Sequence, residues 1–161
     1  MEQIVDWNSF VAYFEEIATK HKDINSFCFG TLEKKQAFTK SDIVYPCLWL
    51  EIPDFQPEGD GVFTRCTSAF TISTSAEKGD YEAENAALKL CSEIGLQVVS
   101  KMRKDSHDLN EEDEPFLEFN TSDADLESGI MIGVDNEHGY RVQFTIRIND
   151  LICYKQDKWD L

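Results

Sequence analysis

The chain reads as one α+β domain, an antiparallel sheet packed against two helices in the order α-β-β-β-α-β-β-β. Three observations predict this. Apolar residues recur at i, i+3, i+4 and i+7 spacing in two separate segments, near residues 7–18 and 83–102. Between and after them lie runs rich in Thr, Phe, Ile and Val, the clearest at 62–75 and 140–148. With 161 residues, 42% of them hydrophobic, the chain is the size of one domain that buries roughly 70% of its unfolded surface around a single core.

The first helix starts after Asp6, a residue type whose carboxylate caps free N–H groups, and carries Trp7, Phe10, Val11, Phe14, Ile17 and Ala18 on one stripe as far as about His21. A short apolar piece, Phe27-Cys28-Phe29, ends at Gly30. The next strand is expected over Ile43 to Ile52, with Tyr45, Cys47, Trp49 and Glu51 opposite Val44, Leu48, Leu50 and Ile52, and with Pro46 marking an edge or a bulge. Residues 53–61 hold two prolines and two glycines and read as a loop. Val62 to Ser75 is one long strand with Cys66, Phe70 and Ile72 on a common face, paired antiparallel with 43–52.

Asp80 opens the second helix, whose stripe is Ala83, Ala87, Leu90, Cys91, Ile94, Val98 and Met102; Lys101, Arg103 and Lys104 oppose the negative end of its dipole. Gly95 costs such a helix about 1 kcal/mol against Ala, which points to something packed closely there. The segment from Asp105 to Glu114 is too charged for burial and reads as a mobile acidic loop at 105–114. Strands then follow at Phe116 to Phe119, Ile130 to Val134 and Tyr140 to Ile148. The last alternates Tyr140, Val142, Phe144, Ile146 and Ile148 inward with Arg141, Gln143, Thr145 and Arg147 outward, and the turn Asp135-Asn136-Glu137-His138-Gly139 joins the final two as a hairpin.

Charge excludes one class of function. Thirty-one acids against 15 bases give a net charge of -16, and between Asp105 and Tyr140 there are twelve acids with no Lys or Arg. Phosphate backbones are bound by cations that displace counterions, so specific nucleic-acid binding is not expected. No segment approaches the roughly 18 apolar residues of a membrane span, and Met1 to Asp6 has neither a basic nor an apolar leader region; a cytoplasmic protein without membrane contact is expected. Cys28, Cys47, Cys66, Cys91 and Cys153 are scattered among apolar neighbours, as reduced core thiols are.

Catalytic and metal signatures are weak. His21, His107 and His138 are dispersed, no C-x-x-C pair occurs, and there is no G-x-S-x-G, Walker A or G-x-G-x-x-G loop, so no enzyme activity, cofactor or metal is expected. Asp123, Asp125 and Glu127 alternate as in a calcium loop, but the sixth and twelfth positions counted from Asp123 are Ser128 and Val134 rather than Gly and Glu. A solvated loop is the better reading. His107 and His138 both fall in acidic turns.

Candidate interface residues remain. Arg141 and Arg147 share the outward face of the last strand, where they are either solvated or placed to meet a neighbour's carboxylates. Tyr154 and Trp159 are large aromatics in a polar tail, suited either to folding back or to docking on a partner. Glu111, Glu112, Asp113 and Glu114 form a second candidate contact.

The full order of elements, a helix at 6–21, strands near 27, 43 and 62, a helix at 80–104 and strands near 116, 130 and 140, resembles the tail terminator and head–tail joining proteins of bacteriophages. The resemblance spans nearly the whole chain and rests on size and element order. It implies a ring-forming structural protein at the end of a tail tube, with itself and a tail tube or neck protein as partners and a channel through which DNA passes. An acidic lumen would suit sliding DNA. The other reading is an acidic monomeric inhibitor or immunity-type protein that covers a basic target by charge complementarity.

Overall fold

The computed structural model describes residues 2–31, 34, 43–60, 63–131, 136–149, 151–152 and 155–160. Among these, two α-helices lie on a six-stranded, mostly antiparallel sheet: α1 (Trp7–Lys20), β1 (Ser26–Phe29), β2 (Cys47–Leu50), β3 (Asp54–Glu58), β4 (Phe63–Ser75), α2 (Tyr81–His107), β5 (Glu118–Met131) and β6 (Glu137–Asn149), followed by a 3-10 turn at Gln156–Lys158. The α+β class stands, with a redistributed strand order: four strands between the helices and two after them.

Local chemistry explains the helix starts. The Asp6 carboxylate accepts from the Ser9 backbone N–H at 2.8 Å while the Ser9 hydroxyl accepts from the Asp6 N–H at 3.0 Å, so two otherwise orphaned donors are satisfied reciprocally. Asp80 caps α2 through Ala83 N–H at 3.1 Å. Each helix buries most of the predicted stripe, with Val11 and Ala83 half-buried. Trp7 is 41% exposed, its ring meeting Phe29 and Phe55 at the domain edge, and Leu90 is 37% exposed on the flank of the α2 stripe.

The sheet runs β1-β2-β4-β6-β5, with β3 also paired to β4. β1 and β2 are parallel, Ser26 opposite Cys47, which their long connection permits; every other pair is antiparallel. β2 is narrower than 43–52 and lies inside the sheet, so Pro46 precedes an interior strand instead of marking an edge. Residues 54–58, expected as loop, form β3 because they fold back on β4, with Phe55 opposite Cys66 and Gln56 opposite Arg65. The backbone pairing is satisfied despite the prolines: Pro53 stands outside the strand and Pro57 is on a strand with no other described partner.

Two expected strands, near 116–119 and 130–134, join into the single strand β5 through the acids at 123–127, with a register irregularity between Phe119 and Ala124. The expected calcium-like loop is therefore extended strand: Ala124 and Leu126 pack toward the core, and Asp123, Asp125 and Glu127 alternate with them on the exposed face. The hairpin loop is displaced too. Met131 pairs with Glu137, so Glu137, His138 and Gly139 belong to β6, while Asp135 and the end of the expected 130–134 strand lie outside the described residues. His138 is not in a solvated turn but 2% exposed, its Nδ1 3.0 Å from the Asn136 carbonyl.

The core is aromatic. Phe144 of β6 lies 5.1 Å from Phe14, 6.0 Å from Phe70 and 6.3 Å from Phe10, ring centre to ring centre, which binds α1, β4 and β6 together. Cys66, Phe70 and Ile72 share the inward face of β4, as do Val142, Phe144, Ile146 and Ile148 on β6, with Tyr140 partly buried beside them. Ile94, Val98 and Met102 of α2 complete this core. Gly95 sits over the sheet: a methyl there would lie 3.5 Å from Val142 Cγ2 and 3.7 Å from Leu126 Cδ2.

Segment 105–114 departs most from expectation. α2 continues to His107, and Asp105, read as loop, is 2% exposed. Its carboxylate accepts from the Tyr13 hydroxyl at 2.8 Å and pairs with Lys101 one turn earlier, so burial is offset by a donor on each oxygen. Burial pushes the Tyr13 phenol far above its usual range, and the Asp105 charge pushes it the same way. Residues 109–115 close into a compact turn: the Asn110 side chain accepts from the N–H groups of Glu112 at 2.8 Å and Glu114 at 3.0 Å, and Leu109 bridges Pro115.

Candidate interface on the open sheet face

Helices cover one face of the sheet. On the other, Cys28, Ile43, Cys47 and Trp49 form a small second cluster over β1 and β2, while the surface of β4, β6 and β5 beyond it is polar. Strand register sets that surface out in rungs. Glu127, Arg141 and Thr71 stand opposite one another across β5, β6 and β4; Asp125 faces Gln143; and Glu118, Arg147, Arg65 and Gln56 form a rung across β5, β6, β4 and β3.

Arg141 and Arg147 both lie on this face, as the alternation predicts, and both meet carboxylates of their own chain. Arg141 holds Glu51 through two bonds, Nε to Oε1 at 2.7 Å and Nη2 to Oε2 at 2.9 Å, the paired geometry a guanidinium favours. The Glu51 contact raises the Arg141 pKa further. Arg147 donates from Nε to Glu58 Oε2 at 3.1 Å, and Arg65 donates to the other oxygen of the same carboxylate. One Glu58 thus bridges two arginines on adjacent strands, and the hydrogen bond from Arg65 holds its carboxyl below the usual glutamate range. Beside this bridge is an open cleft of about 540 Å³ lined by Arg65, Glu118, Phe119, Asn120, Asp123, Thr145 and Arg147.

The remaining candidates are elsewhere. Glu111, Glu112, Asp113 and Glu114 are exposed on the turn after α2, anchored to the N-terminal segment by Gln3 Nε2 donating to Glu114 Oε2 at 3.1 Å and by Ile4 N–H donating to the Phe116 carbonyl at 3.0 Å. Trp159 is 62% exposed just after the 3-10 turn, and Tyr154 lies outside the described residues. Arg65 and Glu58, and the pairing of Glu51 with Arg141, are not expected from the sequence. A signal for Glu58 and Arg65 was present, because they flank a short turn and become neighbours once 54–58 is read as a strand of a β-hairpin.

Among the described residues no group of three His, Cys, Asp or Glu side chains is placed to hold a metal ion. Cys28, Cys47, Cys66 and Cys91 are buried, and burial pushes the thiols of Cys66 and Cys91 up to about 12 and about 11, away from the thiolate that nucleophilic chemistry requires. No described helix is long and apolar enough to cross a membrane. No protein-family model matches this chain, and no curated protein is similar to it.

Proposed function

We propose that this is a structural, ring-forming protein of the phage tail terminator or head–tail joining type, seated at the end of a tail tube with DNA passing through the ring. The observation that carries the reading is the asymmetry of the sheet. Helices cover one face, whereas the other presents an ordered polar surface of arginines and acids along three long strands, a surface suited to a neighbour. The net charge of -16 fits a channel wall that DNA slides past without adhering. Partners are further copies of the chain and a tube or neck protein; the setting is the cytoplasm before assembly and the virion after it.

Native mass spectrometry across protein and salt concentration, with imaging after mixing with tail tubes from the same genome, tests this. Rings in solution or density at tube ends are the expected result. Monomers that never bind tube ends, together with tight inhibition of a basic nuclease, would establish the acidic-inhibitor reading instead.

A further inference from the structure

The two ends of the sheet differ in charge. β5 occupies one end, a 14-residue strand paired along β6 on one side and with no strand partner among the described residues on the other. Its ionic side chains are all acidic: Glu118, Asp123, Asp125 and Glu127. An unpaired strand exposes a row of N–H and C=O groups ready to bond a further strand. Acids along such an edge make it selective, since like charges placed opposite each other destabilise a pair. Two copies meeting β5 to β5 would set Asp123, Asp125 and Glu127 against the same acids, so a symmetric dimer through this edge is disfavoured.

The other end of the sheet is β1, and lysines bracket it. Lys22 is exposed just before the strand, and Lys34 follows it with Nζ 2.9 Å from the Phe29 carbonyl oxygen, which puts a positive charge at the strand's C-terminal end. Asp123 to Glu127 spans about 13 Å of strand and β1 about 10 Å, so the two edges are comparable in length. β1 is parallel to β2, and each later step across the sheet is antiparallel, so β5 runs opposite to β1. A second copy placed beside the first with its sheet facing the same way therefore offers β1 to β5 as an antiparallel pair.

We propose that the β5 edge is a docking surface for a second copy of this chain, which enters with the β1 end of its sheet and its Lys22 and Lys34. The contact is head-to-tail, and repetition closes a ring where the rotation per subunit permits. The inference rests on the ring-forming reading and adds to it which edges meet. Overall self-repulsion opposes association at low salt. Near physiological ionic strength screening acts beyond about 8 Å, which weakens the long-range repulsion more than ion pairs in contact.

The experiment uses a mixture of isotopically light and heavy protein, free in solution and collected on tube ends. Zero-length carboxyl–amine cross-linking is read by mass spectrometry, and two charge-reversed variants are compared: Asp123→Lys with Asp125→Lys, and Lys22→Glu with Lys34→Glu. All four positions are exposed, and melting curves confirm that each variant is folded. Light–heavy cross-links from β5 acids to Lys22 or Lys34 are expected. Each variant alone should associate at least about tenfold more weakly, and their equimolar mixture should recover assembly because every edge then meets its opposite charge. Assembly that charge reversal leaves unchanged, or whose light–heavy cross-links join the β5 acids to lysines other than Lys22 and Lys34, overturns the edge pairing while leaving the ring intact. Monomers in both settings overturn the edge pairing and the ring reading together.

Discussion

Two glycines, both close to a strand, should respond to alanine in opposite directions. At Gly139 a Cβ would stand 2.2 Å from the Ile72 carbonyl oxygen and 3.1 Å from both Ile72 C and Ser73 Cα, all backbone atoms of the adjacent β4. Gly139 pairs with Ser73 near one end of the longest ladder, so relieving the clash means parting β4 from β6 there by about 1 Å and weakening one or two hydrogen bonds whose groups are then left poorly satisfied, about 1 to 3 kcal/mol each. Gly139→Ala should therefore cost about 3 kcal/mol or more. At Gly95 the added methyl meets only Val142 Cγ2 at 3.5 Å and Leu126 Cδ2 at 3.7 Å, ordinary packing distances. Helix propensity favours Ala by about 1 kcal/mol, and a buried methyl adds up to about 0.8 kcal/mol, so Gly95→Ala should stabilise by about 1 kcal/mol. Urea denaturation of the two variants and the parent, compared at a common slope, measures both. A Gly139→Ala protein within 0.5 kcal/mol of the parent, or a Gly95→Ala protein losing more than about 1 kcal/mol, would refute the packing argument.

Other expected outcomes follow from the same contacts. Phe144→Ala removes the ring shared by Phe10, Phe14 and Phe70 and should cost about 3 to 5 kcal/mol, and Ile94→Ala about 2 to 5 kcal/mol, by the same denaturation assay. The folded-state pKa of Glu58 is depressed by Arg65, so the bridge contributes stability above the ordinary glutamate range and loses it as pH falls through the folded value; carboxyl NMR should show a low midpoint that rises in Arg65→Gln. A thiol-specific disulfide reagent at mildly alkaline pH should leave Cys66 and Cys91 unmodified until denaturant is added, and rapid native labelling of either would contradict their burial.

Much of the core was legible because its signals are periodic and local. Phe10, Phe14 and Ile17 on α1, Ile94 and Val98 on α2, and Val142, Phe144 and Ile146 on β6 were all placed by spacing alone, and the caps Asp6 and Asp80 by residue type. Tyr13 and Asp105 were not, because neither identifies the other: a Tyr among helix polars and an Asp opening an acidic run become a buried pair only when residues 92 positions apart in sequence meet. Asp54–Glu58 and the acidic middle of β5 were misread for a related reason. Their composition favours loops, and pairing with β4 and β6 overrides it, since strand propensity is largely a statement about neighbours.

The outward face shows the same division at the interface. Alternation along β6 was sufficient to put Arg141 and Arg147 on one polar face, because side chains on a strand alternate whatever lies beside it. Their partners were set by register. Glu51 reaches Arg141 across the sheet, and Glu58 reaches Arg147 and Arg65 together, only because β2 and β3 flank β4 on one side and β6 on the other. By itself, then, the sequence determined the fold class, the helix limits near their caps, the inward residues and the excess of negative charge, all of which depend on residue type and local period. The tertiary structure alone decided which strands neighbour one another, which acids are buried, which arginines share a carboxylate and which edges lack a strand partner among the described residues, because each depends on chain segments brought together by a common core.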